Sequence, residues 1–186
     1  MRRRALLQAT LLAAFIAPLA GCGGDPGAGP VEVKWDRDAC ERCRMVLSDR
    51  RHAAQVRFTD PGGRSRVMRF DDLGCAVIWL EDKPWKEAAS TEVWVNDHRD
   101  GRWIDAHTAY FLGGQLTPME YGLGAQDTPL EGAMRYTDAR THVLAIEERF
   151  NRHGADVRAD ARAREPGTTA PRPQPLSIIS PCTISG

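Results

Sequence analysis

Chemistry concentrates in the segment Asp38-Ala39-Cys40-Glu41-Arg42-Cys43-Arg44-Met45. Two thiols and a thioether form a soft donor set, and polarisable sulfur selects copper(I) over zinc, iron or magnesium. In an extended or turn segment, residues i and i+2 can reach one ion, and the rotatable bonds of methionine let Met45 follow Cys43. Zinc asks for four N or S donors, and the sequence offers no second Cys-x-x-Cys and no His pair at zinc spacing. Cys40 and Cys43 also fit an enzyme of a different class, a thiol-disulfide oxidoreductase, in which the motif should open a helix in a βαβ context. Here a hairpin pattern follows instead. Met45 equally fits plain packing at the edge of a core.

Other reactive side chains carry weaker signals. The chain has five cysteines, Cys22, Cys40, Cys43, Cys75 and Cys182. If Cys22 is taken up otherwise, four remain, enough for two disulfides in an oxidising compartment. That pairing is the weaker reading, because Cys182 falls in a tail-like segment and Cys75 in a helix pattern, where it reads as a buried helix residue. Asp71-Asp72 resembles a pair of catalytic carboxylates, yet acids just ahead of a helix usually cap it. His52, His98 and His107 stand near strand ends or turns and read as solvated surface residues. Trp79, Trp94 and Trp103 read as packing. Arg42 and Arg44 flank Cys43, and adjacent positive charge favours thiolate, so Cys43 is expected to be unusually acidic.

The elements that must position these groups follow from periodicity. Ala54 to Thr59 and Arg66 to Phe70 alternate around Asp60-Pro61-Gly62-Gly63, a hairpin turn. A helix pattern follows Asp71-Asp72, then a strand at Glu92 to Asn96. Met68-Arg69-Phe70-Asp71-Asp72 through Leu80 aligns without a gap with Met134-Arg135-Tyr136-Thr137-Asp138 through Ile146, each a strand end, a capping Asp and a helix. The second copy is read with strands at Arg102 to Ile104 and Ala133 to Tyr136 and a helix from about Asp138 to Arg152, ended by Gly154. The expectation is an α+β protein of two related ββαβ-like units, 31–99 with the sulfur-bearing segment and 100–154.

The chain ends carry addressing information. Arg2 to Arg4 precede an apolar run to Ala20, too short to span a membrane, which reads as a signal peptide over residues 1–21. Leu19-Ala20-Gly21-Cys22 resembles the lipobox of bacterial lipoproteins, which implies a lipid on Cys22, export to the periplasm and, with Gly23 next, outer-membrane anchoring. Arg3-Arg4 also faintly resembles a twin-arginine signal. Residues 22–30 read as a flexible tether and 155–186, rich in Arg, Ala and Pro, as a disordered tail. The formal net charge is zero, and losing residues 1–21 removes three arginines and no acids, leaving minus three. Nucleic acid is therefore not expected as a partner.

In order along the chain stand Cys40-x-x-Cys43-x-Met45, Phe70-Asp71-Asp72-Leu73-Gly74-Cys75, Val93-Trp94-Val95-Asn96-Asp97, Trp103-Ile104-Asp105-Ala106 and Thr117-Pro118-Met119-Glu120-Tyr121-Gly122. This series resembles the NosL family of periplasmic copper lipoproteins, which are similar in fold to a domain of organomercurial lyase. The resemblance covers about Cys40 to Phe150. It implies a Cu(I)-binding metallochaperone, not an enzyme, that supplies nitrous oxide reductase together with its ABC-type maturation machinery. It further implies Cys43 and Met45 as copper ligands, Met119 as a third, and Cys40 as an auxiliary ligand or resolving thiol. The chain departs from the family in carrying Arg44 and Glu120 where glycine is usual.

Overall fold

The computed structural model describes residues 25 and 27–164, and the leader, Cys22, Cys182 and most of the expected tail lie outside them. The architecture is mixed α+β. Strands β1 (Ala54–Thr59), β2 (Ser65–Phe70), β3 (Glu92–Asn96) and β4 (Trp103–Asp105) form one antiparallel sheet in the order β2-β1-β3-β4. Helix α1 (Leu73–Glu81) lies between β2 and β3 in sequence and packs on β1 and β2. Strands β5 (Tyr110–Leu112) and β6 (Gly124–Gln126) form a separate antiparallel pair. Helix α2 spans Tyr136–Arg164. By contacts the chain divides into two compact units, one up to Arg140 and one from Thr141. Among the described residues no helix is long and apolar enough to cross a membrane.

The β1–β2 hairpin forms where its turn chemistry demands. Asp60 Oδ1 accepts the amides of Gly62 and Arg64, and Gly63 takes φ 76°, a region that suits glycine. Side chains on β1 then alternate. Ala54, Val56 and Phe58 face the apolar core, where Phe58 stacks on Trp85 with centroids 4.0 Å apart and Trp79 tilts against Phe58 and Phe70 at 5.9 and 5.3 Å.

Gln55 and Arg57 point to the other face and are buried all the same, because the N-terminal segment crosses over them. Gln55 exchanges two hydrogen bonds with Val31, at 2.9 and 2.8 Å. Gly29 donates to Glu92 Oε2 and accepts from Arg57 Nε, each at 2.8 Å. Asp25 pairs with Arg57 at 2.6 Å, and this hydrogen bond draws its carboxyl down to about 2. The stretch expected as a flexible tether is therefore pinned to the sheet at its downstream end. Sequence periodicity misses this because the contacts are polar, most of them backbone to side chain, and follow no apolar pattern.

Three further expectations are corrected. The strand read at Arg102 to Ile104 belongs to the first sheet, not to a second unit. The short turn in which Asp97 and Arg102 hydrogen-bond at 2.8 Å, with Gly101 at φ 79°, returns β4 directly against β3. The strand read at Ala133 to Tyr136 is one bridge, Phe111 to Met134, so the likeness of the two Met-Arg-aromatic segments is local. Gly154 does not end α2, which runs to Arg164; one glycine costs a helix about 1 kcal/mol, and the Ala/Arg-rich sequence beyond it favours helix.

Candidate metal centre

The sulfur-bearing segment is a tight loop closed on itself. Cys40 N donates to Met45 O at 2.8 Å and Arg44 N to Cys40 O at 3.1 Å, with Ala39 bridging Val46. The reversal runs through Arg44 at φ 65°, in the left-handed region that a side chain disfavours. Leu47, fully buried, anchors the loop, and Glu41 N donates to Arg69 O at 2.8 Å, tying it to the end of β2.

From that strand end the chain turns into α1. Asp72, in extended backbone at φ −150°, caps the helix by accepting Cys75 N on Oδ1 at 2.9 Å. The cap fixes where the first turn starts and so where Cys75 points. The sulfurs of Cys40, Cys43 and Cys75 all lie within 4.8 Å of one another. Cys40 and Cys75 are buried and Cys43 is half-buried.

The thiols differ in proton affinity. Cys40 is drawn down to about 5, first by the hydrogen bond it accepts from Cys75, helped by backbone amides against the cost of burial. Cys43 is pushed up to about 12, chiefly by burial, with the Asp71 hydrogen bond and the neighbouring Cys40 adding to it. Cys75 moves upward, through its hydrogen bond to Cys40 and through burial. Asp71, whose Oδ2 accepts the Cys43 thiol at 3.2 Å, is raised to about 6, first by burial. The hydrogen bonds within the cluster thus favour ionisation at Cys40 and protonation at Cys43 and Cys75. The expectation of an acidic Cys43 is overturned: Arg44 turns away to pair with Glu41 at 3.2 Å, and Arg42 Nη1 lies 3.9 Å from Cys75 Sγ.

Neither ligand methionine expected from the sequence is fully buried. Met45 is 51 % exposed. Met119 is half-buried in the turn after β5, and its N–H donates to Asp72 Oδ2 at 3.2 Å. Glu120, at φ 61°, closes that turn onto Thr117 O at 3.1 Å, and Tyr121 packs so tightly on α1 that a methyl on Gly74 would stand 2.0 Å from its Cδ2. The two positions where the resembled family usually has glycine, Arg44 and Glu120, both adopt positive φ.

Sequence reasoning singled out Cys40 and Cys43 and missed that the Cys75 sulfur joins them. Nothing in a separation of 32 residues announces the contact, although the Asp72 cap was a readable clue to which way Cys75 faces. Of the two acids, Asp72 caps as expected and Asp71 serves the thiol. No histidine belongs to the sulfur group. His52, expected on the surface, is 11 % exposed, pairs with Asp49 at 2.9 Å and buries an unpartnered Nε2. His98 lies 3.4 Å from Gln126, and the ring of exposed His107 tilts against Tyr136 with centroids 4.4 Å apart.

No family model matches the chain, and none of the curated proteins does. Among solved structures it is similar to the copper chaperone NosL from Shewanella denitrificans, with 19 % identity, 62 % of this chain and 87 % of that chain covered, and a TM-score of 0.43. A metal site built on Cys40, Cys43 and Cys75 therefore stands on its own sulfur geometry.

Proposed function

We propose that this protein is a metallochaperone that holds one copper(I) ion among Cys40, Cys43 and Cys75 and releases it to another protein by ligand exchange. The observation that carries this is the convergence of three cysteine sulfurs within 4.8 Å, one of them an acidic buried thiolate. Trigonal coordination with metal–sulfur bonds of about 2.3 Å would set sulfurs about 4 Å apart, close to this spacing. Among the described residues no histidine or carboxylate joins the three sulfurs, and an all-sulfur donor set suits a soft ion such as copper(I). Exposed Met45 and the Met119 turn supply neutral thioethers that can take the ion as it enters or leaves. Transfer then needs only a partner with better ligands, and no bond of a substrate is broken.

We further infer the setting from the sequence: export to the periplasm, a lipid on Cys22 holding the protein to the outer membrane, and delivery to nitrous oxide reductase and its ABC-type maturation machinery. The rival, disulfide exchange through Cys40 and Cys43, needs an exposed thiolate to attack. Here Cys40, the thiol drawn down, is wholly buried, and the more accessible Cys43 is pushed up. Anaerobic titration with Cu(I) against a chromophoric chelator tests the proposal. One equivalent retained against a strong chelator is the expected result, and loss of copper to a weak one would refute it.

A further inference from the structure

Asp72 does more than cap α1. Its two carboxylate oxygens accept amides from residues 3 and 47 positions further along the chain: Oδ1 takes Cys75 N at 2.9 Å and Oδ2 takes Met119 N at 3.2 Å. The residue is 1 % exposed, and the Thr117 hydroxyl also hydrogen-bonds to it. Thr117 Oγ1 in turn accepts Gly122 N at 3.2 Å, so the whole turn from Thr117 to Gly122 is referred to this carboxylate. A buried carboxylate is costly to desolvate and persists where several donors satisfy it. A cap alone needs one oxygen, and Asn or Ser would serve as well. The second oxygen is explained by the methionine turn.

We propose that Asp72 is the positioning residue that makes Met119 part of the metal site: it holds the methionine turn against the first turn of the thiol-bearing helix, so that the Met119 thioether is available to an ion on Cys40, Cys43 and Cys75. This rests on the copper-holding reading above. In Asp72→Asn, Oδ1 still caps Cys75, whereas an NH₂ group now meets the Met119 N–H. The cap survives and the strut is lost. Groups that orient ligands without touching the metal change affinity by roughly 10- to 100-fold when mutated.

The test is a double-mutant cycle on the full chain, with Cu(I) affinity measured by chelator competition and helix content checked by circular dichroism. Asp72→Asn and Met119→Leu should each weaken binding by roughly 10- to 100-fold, and the double variant should be no weaker than the weaker single. A purely structural loss at Asp72 would instead multiply with that of Met119→Leu, and that overturns the inference. So does wild-type affinity in either single variant. If Asp72→Asn does not fold, Thr117→Val loosens the same turn while leaving the carboxylate, and its loss should likewise vanish in a Met119→Leu background; unchanged affinity in Thr117→Val then overturns the strut. Failure of the wild-type protein to hold copper overturns the metal reading and this inference with it, whereas wild-type binding with an unaffected Asp72→Asn overturns this inference alone.

Discussion

The Cys43 thiol donates to Asp71 Oδ2 across 3.2 Å, so the most accessible sulfur of the cluster is one that keeps its proton. Copper(I) must displace that proton to gain a thiolate. Cu(I) uptake at neutral pH should therefore release at least one proton per ion, and the apparent affinity should rise with pH. Titration in weakly buffered solution with a pH indicator measures the release. Uptake without any would show that the ion uses only the Cys40 thiolate and neutral donors.

The three clustered sulfurs should be unequal to Cys182. Cys40→Ser, Cys43→Ser and Cys75→Ser should each weaken Cu(I) binding by about 100-fold or more, since each removes a soft donor, while Cys182→Ser should leave it unchanged. Chelator competition across the four variants decides the matter. A silent Cys75→Ser would reduce the site to the Cys40–Cys43 loop and its methionines.

Stability of the metal-free protein should follow the thiols. Cys40 is depressed to about 5 in the fold from an ordinary 9.0, so the unfolded chain binds the extra proton between those values and stability rises with pH across that window. Its contribution is complete above 9.0 and lost as pH falls through about 5. Cys43, pushed up to about 12, has the opposite sign: above 9.0 the folded state keeps a proton that the unfolded chain loses, and stability falls again. Asp71, raised from 3.8 to about 6, adds stability toward acid pH and none above about 6. Denaturant midpoints from pH 6 to 10 should pass through a maximum near 9, and Cys40→Ser should flatten the rise.

Two of the positive-φ residues, Arg44 and Glu120, predict a gain. Arg44→Gly and Glu120→Gly relieve left-handed backbone at φ 65° and 61°, which costs an L-residue about 1–2 kcal/mol. The Arg44 pair with Glu41 is exposed and worth little. Each substitution should stabilise by roughly 0.5–1 kcal/mol after the extra freedom of glycine in the unfolded chain is deducted. Thermal melts that show a loss instead would mean that these side chains hold their turns in ways the backbone does not reveal.

Gly74→Ala should be among the most damaging small changes, because the added methyl meets the Tyr121 ring at 2.0 Å rather than the tip of a mobile side chain. A loss of about 3 kcal/mol or more is expected, at the upper end of overpacking costs. Melting temperature and Cu(I) affinity should fall together, since Tyr121 belongs to the turn that carries Met119.

What the sequence disclosed and what it withheld divide along a physical line. The hairpin around Asp60, the Asp72 cap and the loop sulfurs are local, readable from turn chemistry and spacing over a few residues. The place of β4 depended on a six-residue return after β3, which the alignment of the two Met-Arg-aromatic segments obscured. The entry of Cys75 into the sulfur group depends on α1 meeting the end of β2 beside an unrelated loop, a contact that no periodicity encodes. The thiol acidities follow the same rule: charge adjacent in sequence pointed to Cys43, whereas hydrogen bonds in space select Cys40.

The N-terminal strap gives the molecule a polarity. Asp25 is fastened by Arg57, which also reaches Ser65 beside the hairpin turn, while the sulfurs open beyond Phe70 at the opposite end of the same strands. Six residues of strand, about 20 Å, separate those ends. A pull on the chain at Asp25 therefore acts toward the hairpin-turn end of these strands, while the three sulfurs lie beyond the other end. The strap also acts as a strain relief: a pull on Asp25 is borne by Arg57, Glu92 and Gln55 before it can reach the loop that carries Cys40 and Cys43.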